Sequence, residues 1–331
     1  MRLACLLALL IGLITPALGQ PFTFAAFGDM PYTPTDEARV LELASEINRS
    51  RADFTIFVGD TKTGREPCNE TLLVERPRRI FDRFRHALIY TPGDNEWSDC
   101  VVRGPGELGP ADALARLREA FFSGPTSYGA LPLHLGRQSE RFGTVENARW
   151  VHHNVVFATL NLPGVIRPDL TGRPLDGTLA RMLPGIAAAA ATWVDESFAE
   201  ARRRGARAVV LAFQADLWHP CNMMEDAACR NQELGSGAAP GTRYLAELPF
   251  DYARVLDRIA GGAATFRAPV LLLHGDSHRY LVRRNPSDGR GRSIPNATRI
   301  MVPGEDQIAA LLIRVDPGRR DPFASEVVAA R

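Results

Sequence analysis

The sequence is almost without lysine: Lys and Arg together number 39, and Lys62 is the single lysine. It also lacks an excess of either charge. A formal net charge of +1 leaves no basic surplus of the kind that draws a protein onto nucleic acid. Beyond the first twenty residues there is no apolar run long enough to span a bilayer, which excludes an internal membrane helix. Repeats are missing, and no Pro-, Gly- or Ser-rich linker divides the chain. Cysteine is scarce, five in 331 residues, so the fold rests on an ordinary apolar core.

What is present begins with a leader. Met1-Arg2 and the apolar stretch Leu3–Ile14 precede Ala17-Leu18-Gly19, small residues of the kind a signal peptidase reads. The expectation is a signal peptide over 1–19, cleavage before Gln20, and a single domain over 20–331 that is exported, periplasmic or secreted. Cys5 leaves with the leader. Cys68, Cys100, Cys221 and Cys229 then lie in an oxidising compartment, which favours two disulfides over a metal site. Four cysteines allow three pairings. Cys68 and Cys100 follow two neighbouring strands, and Cys221 and Cys229 bracket one short loop, so the expected bridges are Cys68–Cys100 and Cys221–Cys229.

Every Gly-Asp pair in the chain closes an apolar run. Phe22–Phe27 leads into Gly28-Asp29, Phe54–Val58 into Gly59-Asp60, Leu88–Tyr90 into Gly93-Asp94-Asn95-Glu96, and Val270–Leu273 into His274-Gly275-Asp276-Ser277-His278. Short apolar runs ended by glycine read as buried strands. Amphipathic segments between them read as helices: Asp36–Ser50 capped by Thr35, Leu72–Phe84 interrupted by Pro77, a helix opened by Pro110 and running to Phe122, Thr178–Arg204, and Tyr252–Ala260. Further strands are expected at Arg141–Val145, Trp150–His153, Val155–Leu160, Ala208–Phe213, Tyr280–Val282, Thr298–Val302 and Ala309–Val315, followed by a polar tail. Cys221–Gly241 reads as an irregular loop.

Parallel strands joined by helices bring the loops at their C-terminal ends together. That edge would collect Asp29, Asp60, Asp94, Asn161, Gln214, Asp276 and His278. Converging carboxylates repel one another and call for a positive partner. A donor set rich in carboxylate and amide oxygen with one imidazole suits Mg²⁺, Mn²⁺ or Ca²⁺ better than Zn²⁺. Lys62, two residues after Asp60, is either solvated or a compact ammonium serving the aspartates or a phosphate oxygen. Glu96 reads as a loop-holding acceptor, Trp97 and His274 as core, and His219 as a loop residue. His152 and His153 alternate faces of a strand, so at most one points inward.

The order Gly-Asp, Gly-Asp, Gly-Asx-x-Glu, a polar strand end and Gly-x-x-His resembles the calcineurin-like metallophosphoesterase superfamily over nearly the whole chain after the leader. The resemblance implies an α/β fold of two facing mixed β-sheets flanked by helices, a four-layer αββα sandwich. It implies hydrolysis of a phosphomonoester or phosphodiester, a small-molecule substrate, with one or two divalent metals activating water. Asp29 falls on the first-motif aspartate and Asp60 on the aspartate that bridges two metals. Asp94 falls on a metal-binding Asn, Asn95 on the catalytic His, Gln214 and Asp276 on ligand histidines, and His278 on the last histidine. Asp29, Asp60, Asp94, Gln214, Asp276 and His278 are thus the expected metal ligands, with Asn95 and Lys62 as catalytic candidates. The pattern departs from the family at Pro31, Asn95, Gln214 and Asp276, each standing where a histidine is usual. The other reading is a secreted, non-catalytic binding protein with a relic site.

Overall fold

The computed structural model describes residues 19–138, 142–164, 177–218, 252–288 and 290–330. Residues 1–18 of the expected leader, His219 and the expected Cys221–Cys229 pair lie outside the described residues. Strands β1 (Phe22–Phe27), β2 (Phe54–Phe57) and β3 (Ala87–Tyr90) are built from aromatic and branched residues, buried on both faces apart from Thr23. That is the composition of strands covered on both sides, and β1–β2 and β2–β3 indeed pair in parallel. β11 (Ala309–Val315) and β12 (Phe323–Ala329) extend this sheet by antiparallel pairing, giving the order β12-β11-β1-β2-β3.

The second sheet runs β4-β5-β6-β7-β8-β10-β9. Its strands are β4 (Gly136–Arg137), β5 (Ala148–His152), β6 (Val155–Thr159), β7 (Ala208–Ala212), β8 (Val270–His274), β9 (Leu281–Arg284) and β10 (Ala297–Met301). Of these β6, β7, β8 and β10 are mutually parallel. The sheets face each other through an aromatic layer. Phe24 and Phe54 of β1 and β2 meet Phe157 of β6 edge-on at 5.4 and 5.1 Å, and Phe54 meets Trp150 at 5.7 Å. Edge-to-face pairs of this kind each contribute about 0.5–1.5 kcal/mol beyond burial.

Helices close the outer faces. α1 (Pro34–Arg49) and α2 (Arg76–Phe81) cover the first sheet, burying Val40, Leu43, Ala44, Ile47, Ile80 and Phe81. α4 (Gly177–Arg204) and α5 (Tyr252–Phe266) pack together over the second, and α3 (Pro110–Phe121) packs against α4. The result is two mixed sheets of five and seven strands flanked by five α-helices among the described residues, the expected α/β architecture.

Details differ from the sequence expectation. The cap of α1 is Thr33, whose backbone is extended and whose hydroxyl accepts the Asp36 amide at 3.1 Å, and Pro34 fills the first helical turn. α2 is preceded by a π turn at Thr71–Glu75, so Pro77 sits in the first turn of α2 and breaks nothing. α5 continues past Ala260 to Phe266. The segment expected as a strand at Arg141–Val145 is a loop over residues 142–147, its register lost to local hydrogen bonds from Thr144 Oγ1 and Asn147 Nδ2 to Gln138 Oε1. The presumed polar tail is edge strand β12, whose mixed burial reflects a half-solvated face. The Cys68–Cys100 bridge is present, tying the loop after β2 to the loop after β3. No helix of the described residues is long and apolar enough to cross a membrane.

A candidate metal centre at the C-terminal edge of the sheets

Because the parallel strands of both sheets point the same way, their C-terminal loops meet. Asp29 follows β1, Asp60 follows β2, Asp94 follows β3, Gln214 follows β7, and Asp276 and His278 follow β8. Four of these non-glycine residues sit in the left-handed region: Asp29 at φ 55°, Asp60 at 66°, Asp276 at 80° and His278 at 55°. Such backbone costs of order 1 kcal/mol or more per residue and collects where side-chain aim matters. Two glycines make the close approach possible. A Cβ on Gly93 would collide with the Asp60 carboxylate, and one on Gly275 with that of Asp29.

Glu96 is the anchor of the arrangement. Its carboxylate accepts the amides of Asp60 (3.0 Å), Thr61 (2.7 Å) and Gly93 (3.0 Å), so the loops after β2 and β3 are held as one piece. The Asp29 carboxylate accepts the Asp276 amide at 3.0 Å, joining the first sheet to the second. Behind them lies a buried relay. Arg299 donates to Asp216 (2.7 Å) and to His274 Nε2 (2.8 Å), Ser277 donates to Asp216 (2.8 Å), and the Asp216 amide donates to Asp276 (2.9 Å). Arg299 and His274 hold the Asp216 carboxyl below its usual range against burial that would raise it. His274 is pushed down to about 4 by burial and by Arg299, as befits a core histidine.

The candidate residues then divide into two groups. Asp29, Asp60 and His278 offer ligand atoms all within 4.8 Å of one another, a group that could hold a metal ion. Tyr32 stands among them, donating to Asp60 Oδ2 at 3.1 Å, with its oxygen 3.3 Å from His278 Nε2. Asn95 donates from Nδ2 to Asp60 Oδ2 (2.9 Å) and to the Tyr32 hydroxyl (3.1 Å). The second group is Asp94, Gln214 and Asp276. The Gly164 amide donates to Gln214 Oε1, so Gln214 turns Nε2 towards Asp94 Oδ1 (2.8 Å) and Asp60 Oδ2 (3.2 Å). An amide N–H therefore stands between the two carboxylates where an oxygen ligand to a metal was expected.

Charge and burial set the chemistry. Burial raises the Asp29 carboxyl to about 7, partly countered by His278 and the Asp276 amide. Burial also raises Asp60, Asp94 and Asp276, and neighbouring carboxylates add to the effect at each. Burial alone would lower His278, but its bond to Glu305 (3.4 Å) and the charge of Asp29 outweigh this and bring it up to about 9. The pocket thus holds more negative charge than its own residues neutralise.

Two expected members are elsewhere. Asn161 turns away, donating to Glu146 at 2.7 Å in a network that includes Arg118. Lys62 is buried, not solvated, yet it makes no hydrogen bond to Asp29 or Asp60 among the described contacts. Its Nζ donates to the Thr63 carbonyl at 2.7 Å, and burial lowers its pKa against the pull of Glu96 first and Asp99 second. Sequence reasoning missed Tyr32, Glu305, Gly164 and the Arg299–Asp216 relay. Only Tyr32 carried a signal, standing three residues after Asp29 in the same loop.

Comparison with known proteins adds little. No family model matches the chain, and no curated protein matches it. Among solved structures it is similar to GAP50, the anchor in the inner membrane complex of Plasmodium, at 10% identity, over 94% of this chain and 90% of that one, with a TM-score of 0.49. It is also similar to a dimetal phosphatase from Danio rerio, at 12% identity, over 94% of this chain and 99% of that one, with a TM-score of 0.47. At such identities and scores neither likeness bears on what this chain does.

Proposed function

We propose that this protein is an exported, metal-dependent hydrolase of small phosphate esters, working with one metal ion held by Asp29, Asp60 and His278. The observation that carries the reading is the acidic pocket itself: buried carboxylates whose own surroundings leave them undercompensated, with three ligand atoms gathered within 4.8 Å. The donor set of two carboxylates and one imidazole fits a divalent ion such as Mg²⁺ or Mn²⁺. The position among Asp94, Gln214 and Asp276 does not fit a second ion, since Gln214 faces it with N–H.

A bound divalent ion supplies Lewis acidity towards a phosphoryl oxygen and lowers the pKa of water. The chain does the rest. Asn95 holds Asp60 and Tyr32 through its amide hydrogens, and an amide has no proton to give a leaving alkoxide. Tyr32 is a poor acid for that role, because burial and Asp60 push its pKa well up. A pocket without a general acid favours leaving groups that depart as stable anions. Aryl phosphates and phosphoanhydrides are the expected substrates, and simple alkyl phosphates poor ones. Nothing in the charge pattern calls for nucleic acid or a membrane as partner, and the Cys68–Cys100 bridge suits an oxidising compartment.

The test is turnover of p-nitrophenyl phosphate and bis(p-nitrophenyl) phosphate by chelated protein with and without added Mn²⁺. Manganese-dependent release of p-nitrophenol is expected. The second reading, a secreted binding protein with a relic site, is favoured by one observation: the Gln214 amide already satisfies Asp94 and part of Asp60. Metal binding without turnover of either ester would select it.

A further inference from the structure

A second cluster lies at the opposite edge of the sandwich, where β2 and β6 begin. It is composed of Asp53, His152 and His153, and their ligand atoms also lie within 4.8 Å of one another. His152 Nε2 is 2.7 Å from Asp53 Oδ2, and His153 Nε2 is 4.0 Å from the same oxygen. Neighbours along a strand point to opposite faces, so two adjacent histidines should not meet one carboxylate. They do here because β5 ends at His152. His153 and Asn154 form a two-residue hairpin turn with φ of 43° and 63°, and the left-handed step at His153 swings its ring back beside its neighbour. The two ring centroids stand 4.4 Å apart.

The trio is held, not loosely gathered. Asp53 is fixed by its amide bond to the Thr23 carbonyl (2.8 Å), and the turn by the Arg207 amide bond to the Asn154 carbonyl (2.8 Å). Phe22 packs against both imidazoles, edge-on to His152 at 4.8 Å and stacked on His153 at 5.3 Å, and Phe54 packs on His152 at 5.2 Å. Burial lowers the pKa of His152, and its bond to Asp53 pulls the other way. Asp53 and His153 are partly exposed, which leaves room for solvent in an open coordination position.

We propose that Asp53, His152 and His153 form a second divalent-metal site, selective for a first-row transition ion of the Zn²⁺ type, that clamps the two sheets together. The chemistry separates it from the centre at the other edge. Two imidazoles and one carboxylate are a zinc-like set, whereas the Asp29 group is mainly oxygen. Asp53 belongs to the first sheet and both histidines to the second, so an ion here crosslinks the sandwich at the end remote from the candidate centre.

The experiment is Zn²⁺ titration of EDTA-stripped, tag-free full chain by calorimetry, with thermal melts at each zinc concentration. Two variants keep the local structure. His152→Phe retains the ring packing on Phe22 and Phe54, and His153→Gly accepts the left-handed backbone. His134→Ala, an exposed histidine elsewhere, is the control. The wild type and the control should bind a zinc equivalent that Mg²⁺ does not displace, with a melting temperature rising with zinc. Each of the two variants should lose that equivalent or bind it at least about tenfold more weakly, while keeping the ion held by the Asp29 group. Zinc binding unchanged in both variants, or abolished by Asp60→Asn alone, would overturn the proposal.

Discussion

The two halves of the candidate centre contain similar side chains and differ in what stands among them, the Tyr32 hydroxyl in one and an amide hydrogen of Gln214 in the other. Around Asp29 and His278 the polar atoms gather close with the nearest Asp29–His278 approach at 3.8 Å, longer than a hydrogen bond. Around Asp94 the nearest donor is an amide hydrogen of Gln214, already at 2.8 Å. Counting acidic residues along the sequence treats the halves alike. The fixed orientation of one amide, set by the backbone of Gly164, separates them.

The largest effect should come from the residue that serves both halves. Asp60→Asn keeps the shape of the pocket but removes the charge shared by Tyr32, Asn95 and Gln214. Ester turnover should fall at least about a thousandfold, with the bound ion lost. Turnover within tenfold of wild type would mean that the halves are equivalent and Asp60 is dispensable.

Next comes the pH dependence of the metal-free protein. Asp29 has a folded pKa of about 7 against an ordinary 3.8, so the folded state holds a proton that the unfolded chain releases. Stability from this group is present at low pH and declines as pH rises from about 4 through 7. The loss is on the order of 4 kcal/mol. Asp60, Asp94 and Asp276 shift in the same direction. Melting of chelated protein should therefore drop between pH 4.5 and 8, and added Mn²⁺ should flatten the curve. Parallel curves with and without the ion would show that no ion relieves the carboxylates.

Lys62 tests the support behind the open half. Its ammonium is buried facing Glu96 and Asp99, and the latter carboxyl is itself pushed well up by burial. Lys62→Arg should cost about 1–3 kcal/mol by denaturant unfolding, since a larger planar group enters a filled space. A cost below about 0.5 kcal/mol would return the side chain to solvent. The smallest effect is expected at Gln214. Gln214→His replaces the blocking N–H with a ring nitrogen able to ligate. It should raise metal content by up to one ion per chain with little change in melting temperature. An unaltered count would mean that Asp94 and Asp276 are unsuited to metal for some other reason.

Much of this was legible in the sequence. Glycine after an apolar run located the ends of β1, β2 and β8, and the Gly-Asp pairs placed Asp29, Asp60, Asp94 and Asp276 on one edge. The Cys68–Cys100 bridge followed from the same strand ends. What escaped was orientation. Whether Gln214 offers oxygen or nitrogen depends on the Gly164 amide fifty residues away, and no local pattern encodes that contact. Asn161 sits at the expected edge, but Glu146 captures its side chain. His153 defeated the strand-alternation rule because the strand stops one residue earlier and the turn adopts positive φ. β12 was hidden by its half-solvated composition, which reads as a tail until β11 is there to pair with it.

On the proposed reading one half of the centre takes an ion and the Gln214 amide closes the other. Metal analysis of untagged protein purified without chelator, with Asp53, His152 and His153 replaced so that only this centre is counted, tests it most directly. One divalent ion per chain, lost on Asp60→Asn, is the predicted result. Two ions per chain, or none, would contradict it.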